Sequence, residues 1–127
     1  MSAAATQAGT RHLCIVMRRG PHGSIQAQEG LDAVLMATAF EPRVSVVLVD
    51  DAVQLLARGQ DTGGIRRKNF SPVFKALEMY GVDAVYVEAQ SLTRRALAAD
   101  ELLIPVRSLD SADIAELVDG ADVLLSF

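Results

Sequence analysis

Three groups of residues in this chain have types that can do chemistry. Cys14 is its single cysteine. A thiol becomes a nucleophile when it is ionised, reachable by solvent, and close to a cation or a helix N-terminus. His22 lies in the run Arg18-Arg19-Gly20-Pro21-His22-Gly23-Ser24, where an imidazole can act as a general base and backbone amides between glycines can hold an anion. Asp50 and Asp51 are adjacent, and carboxylates at a strand end can bind magnesium.

Each group has a plainer reading. Cys14 sits inside the apolar run Leu13 to Met17, where burial raises a thiol pKa and blocks attack, so an inert core thiol is expected. No nucleophile is spaced to partner His22, which reads as a loop histidine held by Pro21 and Gly23. The glycines match neither GxGxxG nor GxxxxGK[ST], so no dinucleotide or P-loop site is expected. An aspartate pair without further oxygen ligands is weak for a metal, and Asp51 reads as the cap of a following short helix. Two histidines and one cysteine, widely separated, give no zinc-ligand spacing.

The elements that must position these residues alternate along the chain. Apolar runs at Leu13 to Met17, Val44 to Val49, Ala84 to Val87, Leu102 to Val106 and Val123 to Leu125 read as strands buried on both faces. Between them lie helical stripes. Leu31, Val34, Leu35 and Thr38 share one helix face, which Phe40 extends before Pro42. Ser71-Pro72 starts a helix carrying Val73, Phe74, Leu77 and Tyr80, with Gly81 at its end. Asp110 or Ser111 caps a last helix carrying Ile114, Leu117 and Val118, closed by Gly120.

Strands alternating with helices predict right-handed crossovers and an α/β fold: a flavodoxin-like three-layer domain with a five-stranded, mainly parallel sheet in the order 2-1-3-4-5. Residues 11–127 form the single domain, and the small, polar Met1 to Thr10 reads as a disordered tail without signal-peptide character. The segment Asp50 to Asn69 has a short helix near Ala52 to Ala57, then glycines. A loop this long is usually functional or an interface. Its Val53, Leu55, Ile65 and Phe70, with the basic Arg66 and Arg67, are the candidate interface residues; core packing is the competing role for Val53, Leu56 and Phe70.

The net charge of −4 and the short basic clusters argue against general nucleic-acid binding. One cysteine fits a reducing cytoplasm, and no apolar run approaches bilayer length. No metal, cofactor or catalytic residue is assigned.

Several motifs then coincide in order and spacing. Pro21-His22-Gly23, Glu29-Gly30-Leu31-Asp32-Ala33, Asp50-Asp51-Ala52-Val53-Gln54-Leu55-Leu56, Gly59-Gln60, Phe74-Lys75 with Leu77 and Tyr80, Ser91-Leu92 and the terminal Asp122 to Phe127 resemble the DsrF/TusC branch of the DsrE-like sulfur-relay family. Ala52 stands where that family usually has glycine. Arg58 to Ile65 followed by Lys68 to Pro72 leans towards DsrF.

The resemblance implies a DsrE-type α/β fold and a cytoplasmic heterohexamer built with DsrE/TusD-like and DsrH/TusB-like sister subunits. TusA-like and DsrC/TusE-like sulfur carriers are further implied contacts. In this family a sister subunit carries the persulfide, so this chain is expected to be a non-catalytic subunit supporting sulfur oxidation. Three alternatives stay open: a TusC-like role in tRNA 2-thiouridine synthesis, a persulfide-carrying sulfurtransferase using Cys14, and a flavin- or nucleotide-binding flavodoxin-like module.

Overall fold

The computed structural model describes residues 11–18, 25–41, 43–57, 71–77 and 79–127. Strand β1 (His12–Met17) leads to helix α1 (Ile25–Phe40) and β2 (Arg43–Leu48). A 3-10 helix (Asp50–Leu56) and α2 (Ser71–Ala76) precede β3 (Val82–Glu88) and α3 (Ala89–Arg94). A second, short 3-10 helix (Ala99–Glu101), β4 (Arg107–Leu109), α4 (Ser111–Asp119) and β5 (Val123–Ser126) follow.

The five strands form one sheet in the order β4-β3-β2-β1-β5, and every neighbouring pair is parallel. This corrects the expected order 2-1-3-4-5. The chain steps from β1 through β2 and β3 to β4 in one direction, then returns across the whole sheet to place β5 beside β1. Right-handed crossovers put connections of opposite direction on opposite faces. Two buried clusters record this. Leu13, Ile15, Met17, Val46, Leu48 and Val87 pack with Leu31 and Val34 of α1, Leu56, Phe74 of α2 and Leu92 of α3. Cys14, Val16, Val47, Val49 and Tyr86 pack with Ile114, Leu117 and Val118 of α4.

All of β1 is buried, as is β2 from Val44 onward, in keeping with their unbroken apolar runs. The polar exceptions answer one another: the His12 Nε2 lies 2.8 Å from the Ser45 Oγ, and both residues are buried. The main-chain N–H of His12 donates to the Asp122 carboxylate at 2.7 Å, which fixes β5 at its start. At the other end, Phe127 donates from its N–H to Val16 O at 2.9 Å. Helix α1 reaches this terminus closely, since a Cβ on Gly30 would lie 3.1 Å from Met17 Cε and 3.4 Å from Phe127 Cβ.

The sequence-predicted helices are present with two changes. Phe40 does not join the buried stripe of α1; it is 79% exposed. Helix α2 buries Phe74, and Leu77 follows it into the core. The helix ends at Ala76, so Tyr80 falls beyond it and is exposed. Gly81 then turns the chain at φ 97°, with the Val82 N–H returning to Leu77 O at 3.1 Å. Asp110 is the α4 cap, its carboxylate accepting from the Asp113 N–H at 2.8 Å.

The expected strand at Leu102 to Val106 is the main departure. Leu102 forms an antiparallel bridge with Ala57, and Leu103 donates to Leu56 O at 2.9 Å. That pin ties the segment to the 3-10 helix rather than to β3, and Pro105 has no N–H to give a ladder. β4 starts only at Arg107.

Helix α3 ends in a Schellman motif. Ala96 donates to Thr93 O at 3.1 Å and Leu97 to Leu92 O at 3.0 Å, with Ala96 at φ 54°. An L-residue with a Cβ is strained there. Ala96→Gly is expected to stabilise the protein by about 0.5–1 kcal/mol, the relief of strain exceeding the added chain entropy of glycine. A urea midpoint below that of the parent would contradict this.

Candidate functional site

In open parallel sheets, sites form beyond the carboxyl ends of strands where neighbouring connections diverge to opposite faces. Here that place lies between β3 and β4, because β3 exits into α3 on one face and β4 exits into α4 on the other. Glu88 ends β3 at this point. Its Oε1 accepts from the Ser91 hydroxyl at 2.5 Å and its Oε2 from the Ser111 hydroxyl at 3.1 Å. The fully buried Ser91 Oγ in turn accepts from the Asp50 N–H at 2.8 Å. One carboxylate and two hydroxyls therefore join the ends of β2, β3 and β4.

Charged pairs rim this cluster. Arg18, just after β1, lies 3.6 Å from the Asp50 carboxylate. Arg95 grips the Asp51 Oδ1 with Nη2 at 2.7 Å and Nε at 3.2 Å. Asp51 is thus an ion-pair partner rather than the expected cap of the 3-10 helix, whose cap position is Val49 with no side-chain bond. Asp50 takes φ 52°, the left-handed conformation that aspartate tolerates better than most residues. The turn is made at Asp50, so an alanine at position 52 fits, and Ala52 is buried with its N–H on Val49 O at 3.1 Å.

The cluster is built for holding rather than for attack. Ser91 has its proton committed to Glu88 and its oxygen to the Asp50 N–H, and it has no exposed surface. Among the described residues, no group of three or more His, Cys, Asp or Glu side chains is placed to hold a metal ion.

The sequence-predicted candidates fall in two sets. Pro21, His22, Gly23, Ile65, Arg66, Arg67 and Phe70 lie outside the described residues. Val53 and Leu55 are placed, and both are buried within this chain. They are core residues, not partner-facing surface, because the 3-10 helix lays its apolar side onto the sheet. Glu88, Ser91 and Ser111 were not singled out as a cluster from sequence. The signal that finds them is the strand order, which identifies β3 and β4 as the diverging pair.

Cys14 lies mid-strand in β1, between β2 and β5, and has no exposed surface. Burial pushes its thiol up to about 11. Neither access nor ionisation is available to it at neutral pH.

The DsrE/DsrF-like family model matches residues 11–127. The chain belongs to the DsrE/DsrF-like family. Within it, the chain is 38% identical over 115 residues to a protein TusC homolog of Vibrio vulnificus strain CMCP6, covering 91% of this chain and 98% of that one. It is 40% identical over 124 residues to the intracellular sulfur oxidation protein DsrF of Allochromatium vinosum, covering 87% of this chain and 91% of that one. The fold matches the crystal structure of ychN protein from E. coli with a TM-score of 0.76 at 22% identity, over 92% of this chain and 99% of that chain.

Two outcomes follow for this DsrE/DsrF-like chain. Ser91→Ala removes the acceptor of the Asp50 N–H and a donor to Glu88, so it is expected to cost about 1–3 kcal/mol in urea unfolding; an unchanged midpoint would show that the cluster holds nothing. The second outcome concerns pH. At pH 7 the Cys14 thiol is neutral whether folded or unfolded, and its contribution is complete. Above about 9 the unfolded thiol ionises while the folded one does not until about 11, so stability falls across that window. Between pH 8 and 10.5 the parent is expected to lose about 2 kcal/mol more than Cys14→Ala. Equal losses would mean that the thiol is solvated.

Proposed function

We propose that this chain is a non-catalytic subunit of a cytoplasmic sulfur-relay heterohexamer, assembled with DsrE/TusD-like and DsrH/TusB-like sister subunits. The observation that carries the reading is the state of Cys14. A relay carrier must present a thiolate to its donor and acceptor, whereas this family member keeps its single thiol fully buried and protonated. The persulfide then travels on partners, with TusA-like and DsrC/TusE-like carriers delivering and collecting it.

Exposed apolar side chains support a subunit role. Met36 and Phe40 on α1, Met79 and Tyr80 before β3, and Leu124 and Leu125 on the edge strand β5 are large and exposed. The partners in such a hexamer would cover surface of this kind. No described helix is long and apolar enough to cross a membrane.

The pathway has two readings, each with its own support. Similarity to the DsrF of a sulfur-oxidising relay and to TusC homologs is nearly equal. Dissimilatory sulfur oxidation is the first reading, and 2-thiouridine synthesis in tRNA is the second. Restoration of thiolated tRNA in a strain lacking its TusC would favour the second; failure there, with restored sulfur oxidation in a strain lacking DsrF, would favour the first.

The subunit reading is tested by mass spectrometry. The isolated chain incubated with a polysulfide, which can pass sulfane sulfur to a thiolate and leave as the shortened polysulfide, is expected to gain no sulfur. Co-expressed with its sister subunits, it is expected to appear in one native complex. Phe40→Asp with Leu124→Asp is expected to shift the urea midpoint by no more than about 1 kcal/mol while weakening that complex, since both positions are exposed in the single chain. A sulfur adduct on Cys14, or a chain that stays alone beside its sisters, would refute the proposal.

A further inference from the structure

β4 covers only part of β3. It pairs with Tyr86, Val87 and Glu88 and with nothing earlier. The backbone groups of residues 83–85 that point away from β2 therefore have no partner strand among the described residues. A cavity of about 550 Å³ lies along this stretch. Its walls include Phe74 and Leu77 from the α2 side and Ile104 and Val106 from the segment that the Ala57–Leu102 bridge draws away from β3. The space is a missing piece of strand at the sheet edge.

The charged side chains among its described lining residues have one sign. Lys75 and Arg107 border the cavity, and none of its described lining residues is acidic, although the chain as a whole carries a net −4. Lys75 belongs to α2, on the α1 face of the sheet. The Arg107 guanidinium lies 5.9 Å from the centre of the Tyr86 ring, on the α4 face. A strand in the slot would send alternate side chains to these two faces.

The geometry points to a docking site for an extended segment of a partner protein, added as a short strand beside residues 83–85. Its apolar side chains meet Phe74, Leu77, Ile104 and Val106. Acidic side chains an odd number of positions apart meet Lys75 and Arg107. Main-chain hydrogen bonds to the open edge supply affinity, and the two cations supply the preference. The inference stands apart from the sulfur-relay reading, since it uses neither Cys14 nor the exposed residues of α1 and β5.

The test is a titration of the full-length, ¹⁵N-labelled chain with an acetylated and amidated pentapeptide, Val-Glu-Val-Val-Glu, followed by amide shifts. Saturable shifts are expected at Ala84, Val85, Ile104 and Val106. Methylating alternate backbone nitrogens of the peptide is expected to weaken binding about tenfold, because each lost main-chain bond removes a paired donor. Lys75→Glu with Arg107→Glu in the chain is expected to weaken it about tenfold through lost attraction and new repulsion. Three results would overturn the inference: no saturable shift at these amides, equal binding of the methylated peptide (an apolar groove for small molecules), or a concentration-dependent dimer of the free chain whose shifts map to the slot.

Discussion

A parallel strand with helices on both sides has no solvent-facing side, so it must be apolar throughout or must match each polar group internally. β1 carries that constraint for the whole sheet. It lies between β2 and β5, and all of it is buried. Its one polar side chain, His12, is met by Ser45 of β2 on the same face. Cys14 sits two residues on, between Ser45 and Leu124 in register, with α4 packed over that face. The sulfur is inert because of where the sheet needs an apolar atom, and no special device is required to silence it.

The return from β4 to β5 is the second organising fact. Every earlier connection advances in one direction, and its described helices lie on one face; this one retreats and must take the other. Among the described helices, α4 therefore covers the face of Cys14, Val47 and Tyr86, while α1, α2, α3 and the 3-10 helix share the opposite face. Divergence also opens the carboxyl end between β3 and β4, where Glu88 is buttressed by Ser91 and Ser111. A carboxylate placed there with both oxygens occupied fixes three strand ends relative to one another. The ion pairs of Arg18 with Asp50 and Arg95 with Asp51 lie on its solvent side and add little alone.

Much of this was legible from residue pattern. The runs around Ile15, Val46 and Val85 had to be buried strands, whereas the run around Leu124 is a strand at the sheet edge with Leu124 and Leu125 exposed rather than buried on both faces; Asp110 and Gly120 bracket a helix by their own chemistry. The position of Cys14 within such a run foretold its burial. What pattern could not supply was strand order, because each strand is apolar enough to sit anywhere in a parallel sheet. Ser91 shows in sequence only as part of the Ser91-Leu92 motif and Glu88 not at all, for the same reason: one glutamate and one serine become a site only when topology makes β3 and β4 diverge. Val53 and Leu55 were ambiguous, since apolar residues in a short helix pack equally well on a sheet or on a partner. Leu102 to Val106 has the apolar, β-branched composition of a strand, but Pro105 inside it and the long-range pin from Ala57 keep it from pairing with β3.

That pin explains more than a misplaced strand. By holding Leu102 and Leu103 against Ala57 and Leu56, it keeps the chain away from β3 until Arg107. β4 can then pair only with the last three residues of β3. Its late start brings Ser111 beside Glu88 at the carboxyl end, and the same late start leaves residues 83–85 open at the other. A closed polar cluster and an open backbone edge thus arise at opposite ends of one strand from one antiparallel contact. In a chain whose thiol is sealed, what β3 can offer to other molecules is shape: a closed polar cluster that fixes its carboxyl end and an open backbone edge at the other.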